Sequence, residues 1–203
     1  MDRIRKRTVV GMETANFLYE NGKYNLRFLE DACRFAAELR KTGNEVIFVM
    51  PEAFACRDMP GIRRGAVSPP SKEAAAAIGQ CRILCFCNKT FADCGLMTAQ
   101  ILINSGDFRD KEKRQNLRNT CNRLLRFGVV PLVGRNDAVV CETGAVCGAG
   151  FAADDTAAAV ASLLFAEYLV ILSGSRTSRG ELRCERISLV TDRRQPLPSP
   201  VFG

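Results

Sequence analysis

Apolar positions in this sequence fall into two kinds of segment: short continuous runs, and stripes with the period of a helix. Within residues 98–140, a polar connector at 105–107 is followed by a basic helix predicted over about residues 108–127. One face of this helix is apolar and consists of Leu117, Cys121, Leu124 and Leu125. Gly128 ends the helix, and the apolar run 129–133 predicts a strand buried on both faces of a parallel sheet.

The same alternation of runs and stripes extends toward both ends of the chain. Strands are predicted at 8–11, 45–50 and 168–173, and a further helix at 25–41. Residues 51–70 are rich in loop-forming residues, and Ser71 is predicted to cap the alanine-rich helix that follows. The glycine-rich stretch 141–151 predicts a loop. Asp154 and Asp155 then begin the last helix, where the helix dipole favours negative charge.

Strands that alternate with helices predict an α/β fold, here a three-layer α/β/α sandwich with a mostly parallel sheet. We expect residues 1–203 to form a single domain whose last part, 176–203, is a divergent, basic and proline-containing tail. Open sheets of this kind bind ligands beyond the carboxyl ends of their strands. Asn136 and Asp137, which follow the strand predicted at 129–133, are therefore candidate ligand-binding residues.

The chain carries a formal net charge of +7 and has a pI near 9.0, so its surface attracts polyanions. Candidate polyanion contacts are clustered on the predicted basic helix: Arg109, Lys111, Lys113, Arg114, Arg123 and Arg126. Asp110 and Glu112 are interleaved with these cations, and a charged helix face is commonly just solvated. Contact with RNA and a simple solvated face both stay open at this point.

Ten cysteines without a secretory signal are typical of free thiols in an intracellular reducing compartment, and we expect a cytoplasmic or mitochondrial protein. The spacing C-x3-C-x-C-x6-C that begins at Cys81 lacks the paired C-x2-C of structural zinc sites, and the chain has no histidine, so we expect no metal site. The most apolar stretch, 157–172, is interrupted by Glu167 and Tyr168, so no membrane span is predicted.

Five short elements in the central stretch carry a more specific pattern. They are Ala99-Gln100-Ile101-Leu102, Asp107-Phe108, Asn116-Leu117-Arg118-Asn119-Thr120, Gly128-Val129-Val130-Pro131 and Asn136-Asp137. In this order and spacing they resemble the amino-acid kinase fold and, within it, the glutamate 5-kinase family. Residues 72–82, KEAAAAIGQCR, also resemble that family's KQAAAAVGQGR. The resemblance implies phosphorylation of the γ-carboxylate of glutamate by ATP, the first step of proline synthesis.

Segments that contact the nucleotide in the family are altered in this chain. The first strand of the family ends in VVKxGSS, whereas here Gly11 replaces the lysine and Glu13 replaces the glycine, and a carboxylate at that place repels phosphate. At the end of the strand predicted at 168–173, Ser173 and Gly174 keep a hydroxyl and lose the family's aspartate. We therefore expect Gly11, Ser173 and Gly174 to form a degenerate nucleotide-binding site. The glycine-rich GTGGM segment that the family carries further on is expected to be missing.

Segments that contact the substrate in the family are altered as well. The family's SSGA reads Met50-Pro51-Glu52-Ala53 here, and proline removes a backbone donor. Its NEND loop reads GRND and keeps Asn136 and Asp137, and its GDND loop reads AADD and offers Asp154 and Asp155. We expect these last four residues to form a remnant substrate-binding site.

Several phosphate-stabilising groups are replaced at once, and a single such group is commonly worth about 10²-fold in rate. The prediction is a catalytically inactive glutamate 5-kinase-like pseudoenzyme, without catalytic residues or cofactor, that serves as a structural or interaction subunit of a larger assembly such as a ribosome or another ribonucleoprotein. Its expected partners are other protein subunits or RNA. The alternative is an active glutamate 5-kinase that uses ATP and Mg²⁺, with Lys72 and Arg135 as substitute cations. A third interpretation is a pocket that binds an amino acid without catalysis.

Overall fold

The computed structural model describes residues 6–13, 17, 24–51, 69–139, 153–174 and 182–189. Its helices and strands are β1 (Arg7–Met12), α1 (Leu26–Lys41), β2 (Glu45–Val49), α2 (Pro69–Asp93), β3 (Thr98–Ile103), α3 (Ser105–Arg109), α4 (Lys111–Arg126), β4 (Val130–Arg135), α5 (Ala153–Leu163), β5 (Tyr168–Gly174) and β6 (Leu182–Leu189). The glycine-rich loop predicted at 141–151 lies outside the described residues.

The described strands form one sheet in the order β3-β4-β2-β1-β5-β6. The first five are parallel to their neighbours, with Val9 of β1 opposite Ile47 of β2 on one side and Leu169 of β5 on the other. β6 pairs antiparallel with β5 at one edge. The mostly parallel α/β sheet predicted from the alternation of strands and helices is therefore confirmed.

Helices cover both faces of this sheet, because successive side chains of a buried strand point to opposite sides. Val10 and Phe48 belong to a core shared with α1 and α2, in which Phe28, Leu29, Ile83 and Phe91 are buried. Their sequence neighbours Val9 and Ile47 belong to a second core shared with α4 and α5, in which Leu117, Cys121, Leu125 and Ala157 are buried. The structure thus has the three layers that the sequence predicts.

The basic helix predicted over 108–127 is instead two helices. Residues 105–109, predicted in part as a connector, form α3, and Asp110 has an extended backbone with a ψ of 122°. The Asp110 carboxylate accepts a hydrogen bond of 2.9 Å from the backbone N–H of Lys113, which makes Asp110 the N-cap of a new helix, α4. The predicted end is correct, since Gly128 has a φ of +79°, which favours glycine.

One further prediction, the N-cap of α2, needs correction. Ser71 is not an N-cap, because α2 begins at Pro69 and Ser71 lies within its first turn, where proline is well tolerated. β6 lies within residues 176–203, the expected divergent, basic and proline-containing tail, and pairs with β5 at the edge of the sheet. The proline-rich end of that tail, 196–200, lies outside the described residues. None of the described helices is long and apolar enough to cross a membrane.

Candidate functional site

The carboxyl ends of the parallel strands meet along one edge of the sheet, here called the carboxyl edge. The segments that follow β1, β2 and β4 are joined to neighbouring strands there. Glu13 N–H donates to the Leu172 carbonyl (2.9 Å), Met50 N–H to the Val133 carbonyl (2.7 Å) and Asn136 N–H to the Ile103 carbonyl (3.0 Å). Asn136, Asp137, Gly11, Ser173 and Gly174 therefore belong to the same edge, as the sequence predicts.

The first turn of α5 points toward the carboxyl edge as well. Near the end of this helix, the Leu164 carbonyl accepts a hydrogen bond of 2.6 Å from the guanidinium of Arg7, at the start of β1. Near its beginning, Ala157 lies against Gly11, close to the end of β1. The helix thus runs opposite to β1, and Asp154 and Asp155, in its first turn, lie toward the same edge as Asn136 and Asp137.

Gly11 leaves no space for a side chain. A Cβ atom built on it would lie 2.9 Å from the Cβ of Ala157 and 3.0 Å from the Cδ1 of Ile171. These distances are well below the 3.5–4.0 Å of an ordinary contact between carbon atoms. At position 11, where the family resemblance implies a lysine, α5 packs directly on the backbone of β1.

Two hydroxyl groups at this end of the fold are buried and have no hydrogen-bond partner among the described residues. They are the Ser173 Oγ on β5 and the Thr156 Oγ1 in the first turn of α5, and each residue is only 2% exposed. Sequence reasoning identified Ser173 and missed Thr156. Thr156 directly follows Asp154 and Asp155, and this position in the sequence could have indicated it as a site residue.

Met50 closes the part of the edge between β2 and β4. Its Cε atom is 2.8 Å from the position that a Cβ on Gly134 would take, and the residue is 7% exposed. The remaining space has a volume of about 10 Å³ and is lined by Met50, Pro51, Gln80, Ile83, Leu102, Gly134 and Arg135. This volume is about what a single water molecule requires, so no amino acid fits there without rearrangement.

Arg135 and Asp137 form an ion pair within the loop after β4, with 3.0 Å between Nε and Oδ1. Both side chains are roughly three-quarters buried, being 26% and 22% exposed. The side-chain amide of Gln80 in α2 donates to the Arg135 carbonyl at 2.7 Å and holds this loop against the helix. Arg135, considered as a substitute cation for catalysis, is thus engaged with Asp137. Sequence reasoning missed Gln80, although it lies within the family-like segment 72–82.

No group of three metal-ligating side chains comes together anywhere in the described part of the chain. Cys33 and Cys87 are buried free thiols where α1 and α2 meet, and Cys81 and Cys85 are exposed on α2. The neighbouring Cys87 thiol, together with burial, raises the pKa of Cys33 well above its ordinary value. A thiol held in its protonated form is a poor metal ligand and a poor nucleophile.

The predicted polyanion contacts do not form one uniform surface. Lys113 is paired with Asp107 of α3 at 3.1 Å, and this hydrogen bond raises the pKa of Lys113. Arg109, Lys111 and Arg114 lie toward the beginning of the α3–α4 segment. At the other end, Arg123 and Arg126 occupy the last turn of α4, and the Arg123 guanidinium lies 5.3 Å from the ring centroid of Phe127.

The sheet order and the helices on both faces define a three-layer α/β protein. Within that class, the chain belongs to the amino acid kinase family, whose family model matches residues 8–176. This agrees with the pattern of Asn136, Asp137 and the other short elements of the central stretch.

Its similar proteins include several glutamate 5-kinases. The glutamate 5-kinase of Caldanaerobacter subterraneus subsp. tengcongensis is 36% identical over 168 residues, which cover 82% of this chain and 44% of that protein. Glutamate 5-kinase 2 of Bacillus subtilis is 34% identical over 201 residues, covering 94% and 53%. The Wolinella succinogenes enzyme is 36% identical over 145 residues, covering 71% and 55%. The predicted resemblance is confirmed, and the chain spans about half the length of these relatives.

Proposed function

We propose that this chain is a non-catalytic, glutamate 5-kinase-like member of the family that serves as a structural or interaction subunit of a larger assembly. The observation that carries the proposal is that the chain's own side chains fill two places along the carboxyl edge, where ligands of such folds bind. Met50 fills the space beside Gly134, and Ala157 fills the space beside Gly11.

The nucleotide side of the edge supports this proposal through its charge. Transfer of a phosphoryl group requires cations and backbone amides that hold the phosphates and offset the charge of the transition state. Position 11 has no side chain, and packing against Ala157 opposes any replacement by a larger residue. Glu13, the next residue but one, adds a carboxylate at the end of β1. Neither Gly11 nor Glu13 supplies the cation that a triphosphate would need at the end of β1.

On the substrate side, the chain's own side chains Arg135 and Met50 would compete with a bound amino acid. An amino acid bound at Asp137 would have to displace the guanidinium of Arg135, which already pairs with that carboxylate at 3.0 Å. It would also have to move the Met50 side chain, because the space beside Gly134 is about 10 Å³. Both changes cost free energy before any substrate contact forms, so we expect weak or no binding of glutamate.

The packed core supports a role that depends on shape. Both helical layers and the parallel sheet of the family are present, with large side chains such as Phe48, Phe91 and Leu132 fully buried. A chain with this packed core and a net charge of +7 suits an assembly that contains other proteins and RNA, such as a ribonucleoprotein.

The test is an assay for ADP release by the purified chain with ATP, Mg²⁺ and glutamate, beside a glutamate 5-kinase as positive control. We expect no release above the rate without enzyme, and no heat of binding by calorimetry with glutamate or proline. Turnover that is abolished by Asp137→Ala would instead establish an active kinase. Binding of glutamate or proline without turnover would establish an amino-acid-binding pocket and would also contradict the proposal.

A second test addresses the assembly. Native chain in a cell extract is separated by size on a density gradient, with and without ribonuclease. We expect it to sediment far ahead of a 22.3 kDa monomer and to shift to smaller particles after ribonuclease treatment. Sedimentation as a free monomer under both conditions would contradict a role in a large assembly.

A further inference from the structure

After Glu112, the rest of α4 carries cations and no acidic residue. Between residues 113 and 128 the chain has no aspartate or glutamate, and its cations are Lys113, Arg114, Arg118, Arg123 and Arg126. The acid that precedes this stretch, Glu112, is eleven residues before Arg123, or roughly 16 Å along the helix axis. That is about twice the screening length at physiological salt, so Glu112 does little to offset the positive field at the end of α4.

An open, shallow depression lies on the surface of α4 near its end, and we call it the α4 groove. It has a volume of about 560 Å³ and is lined by Asn119, Thr120, Asn122, Arg123, Leu124 and Arg126. Within the described part of the chain, no ion pair joins Arg123 or Arg126 to a carboxylate. The groove therefore presents two guanidinium groups and two carboxamides to solvent, which are donors suited to phosphate oxygens and base edges.

An exposed aromatic ring lies at the end of the groove. Phe127 is 69% exposed, and the Arg123 guanidinium lies 5.3 Å from its ring centroid. The backbone of Phe127 is held by a hydrogen bond from its N–H to the Arg123 carbonyl, and the left-handed Gly128 turns the chain directly afterwards. Arg40 of α1 adds a further cation, since its Nη2 is 3.2 Å from the position that a Cβ on Gly128 would take.

Arginines in a last helical turn also offset the negative end of the helix dipole, which is the purely structural interpretation of Arg123 and Arg126. That interpretation accounts equally for Arg40, in the last turn of α1, but not for the exposed phenylalanine beside Arg123. A ring open to solvent beside several cations is the arrangement by which proteins bind single-stranded nucleic acid, because bases stack on the ring while the cations contact the phosphates.

We propose that the α4 groove, together with Phe127 and Arg40, binds a single-stranded segment of RNA, with phosphates at Arg123 and Arg126 and a base stacked on Phe127. This inference rests on the proposed non-catalytic role and names the partner that the surface fits. The sequence predicted a broader set of cations as polyanion contacts. The present proposal is limited to Arg123, Arg126 and Arg40. An acidic protein segment would use the arginines but has no base to stack on Phe127.

The test is fluorescence anisotropy of a labelled twelve-nucleotide oligouridine with the full chain, at salt concentrations from 50 to 200 mM. We expect binding that weakens as salt rises. The double variant Arg123→Gln with Arg126→Gln should weaken binding at least tenfold and reduce the slope of log affinity against log salt by about 1.4, roughly 0.7 for each phosphate contact. Phe127→Ala should weaken binding by roughly 5- to 150-fold and leave that slope unchanged.

The matched control is the double variant Arg27→Gln with Lys89→Gln. It removes the same charge from exposed positions on α1 and α2, which cover the other face of the sheet. We expect its affinity to stay within twofold of the unaltered chain. All variants change exposed residues, and far-UV circular dichroism checks that they fold.

Three outcomes would overturn the proposal. One is equal weakening by the groove variant and the control variant. The second is that Phe127→Ala leaves the affinity for oligouridine unchanged and that the chain binds a double-stranded RNA as tightly as oligouridine. The third is a polyglutamate peptide that binds with the same dependence on Arg123 and Phe127, which would assign the surface to an acidic protein. Because the ADP-release assay does not involve this groove, failure of RNA binding and failure of the non-catalytic role are distinguished.

Discussion

The contact between Gly11 and Ala157 makes a quantitative prediction about stability. The substitution Gly11→Ala introduces a methyl group whose carbon would lie 2.9 Å from the Ala157 Cβ and 3.0 Å from the Ile171 Cδ1. Ordinary contacts between carbon atoms begin near 3.5 Å, so β1 and α5 must separate by about half an ångström or more. Both elements are part of a buried core, where such a separation also loosens neighbouring contacts.

The expected cost follows from two opposing terms. Overpacking of a well-packed core costs about 1–3 kcal/mol. Replacing glycine in a strand by alanine returns about 0.5–1 kcal/mol, because alanine loses less backbone freedom on folding. We therefore expect Gly11→Ala to lower the free energy of unfolding by about 1 kcal/mol, which is the difference between the midpoints of these two ranges. Gly11→Lys should cost more, and we expect no kinase activity from it, since its side chain has no open path past Ala157 and Ile171.

Urea unfolding followed by far-UV circular dichroism measures this cost, since the chain has no tryptophan to report by fluorescence. Ala157→Gly removes the obstructing methyl group but by itself costs about 1 kcal/mol, as glycine does inside a helix. If the contact is the cause, the double variant should be about 1 kcal/mol more stable than the sum of the single effects predicts.

The control is Gly106→Ala in α3, where a Cβ would have no neighbour within 4 Å. We expect it to be neutral or slightly stabilising. The packing argument is wrong if Gly11→Ala is as stable as the unaltered chain, or if its effect adds to that of Ala157→Gly without coupling.

Two further predictions concern strain and ionisation. Phe165 has a φ of +52° after α5, which costs a residue other than glycine about 1–2 kcal/mol. Phe165→Gly should thus be about 1 kcal/mol more stable than Phe165→Ala in urea unfolding, since both lose the stacking of Arg118 on the ring and only glycine relieves the strain; equal stability would refute this. Burial raises the pKa of Cys121 from 9.0 to about 11. In this pH range unfolding releases its proton, so stability falls as pH rises, by up to about 1.4 kcal/mol per pH unit. Cys121→Ala should make that decline shallower between pH 9 and 11, and an unchanged slope would contradict the assignment.

Most of the fold could be predicted because its segments carry strong local patterns. The unbroken apolar runs around Val9, Ile47 and Val133 indicate strands with two covered faces, and all three are buried in the structure. The break at Asp110 was missed, because the charged and polar residues on either side continue a pattern compatible with one helix. β6 was missed because its sequence, LRCERISL, has no apolar run and depends on pairing with β5 for its order.

The sequence predicted where the candidate site residues lie in the fold but not which interactions they make. Asn136, Asp137 and Ser173 lie at the carboxyl edge, as the order of strands and loops implies. Their interactions could not be predicted, because they involve residues distant in sequence. Gln80 holds the loop of Arg135 through a backbone carbonyl 55 residues away, and no local pattern encodes that pairing.

What the sequence determined by itself is the identity and order of the elements, together with the chemical groups available at the carboxyl edge. Those depend on hydrophobic period, glycine positions and residue type, which are local properties. Only the tertiary structure decided that Ala157 closes the space at Gly11, that Met50 covers Gly134, and that Arg123 and Phe127 share one exposed surface. Space and exposure depend on how separate elements pack, so they exist only once the layers have come together.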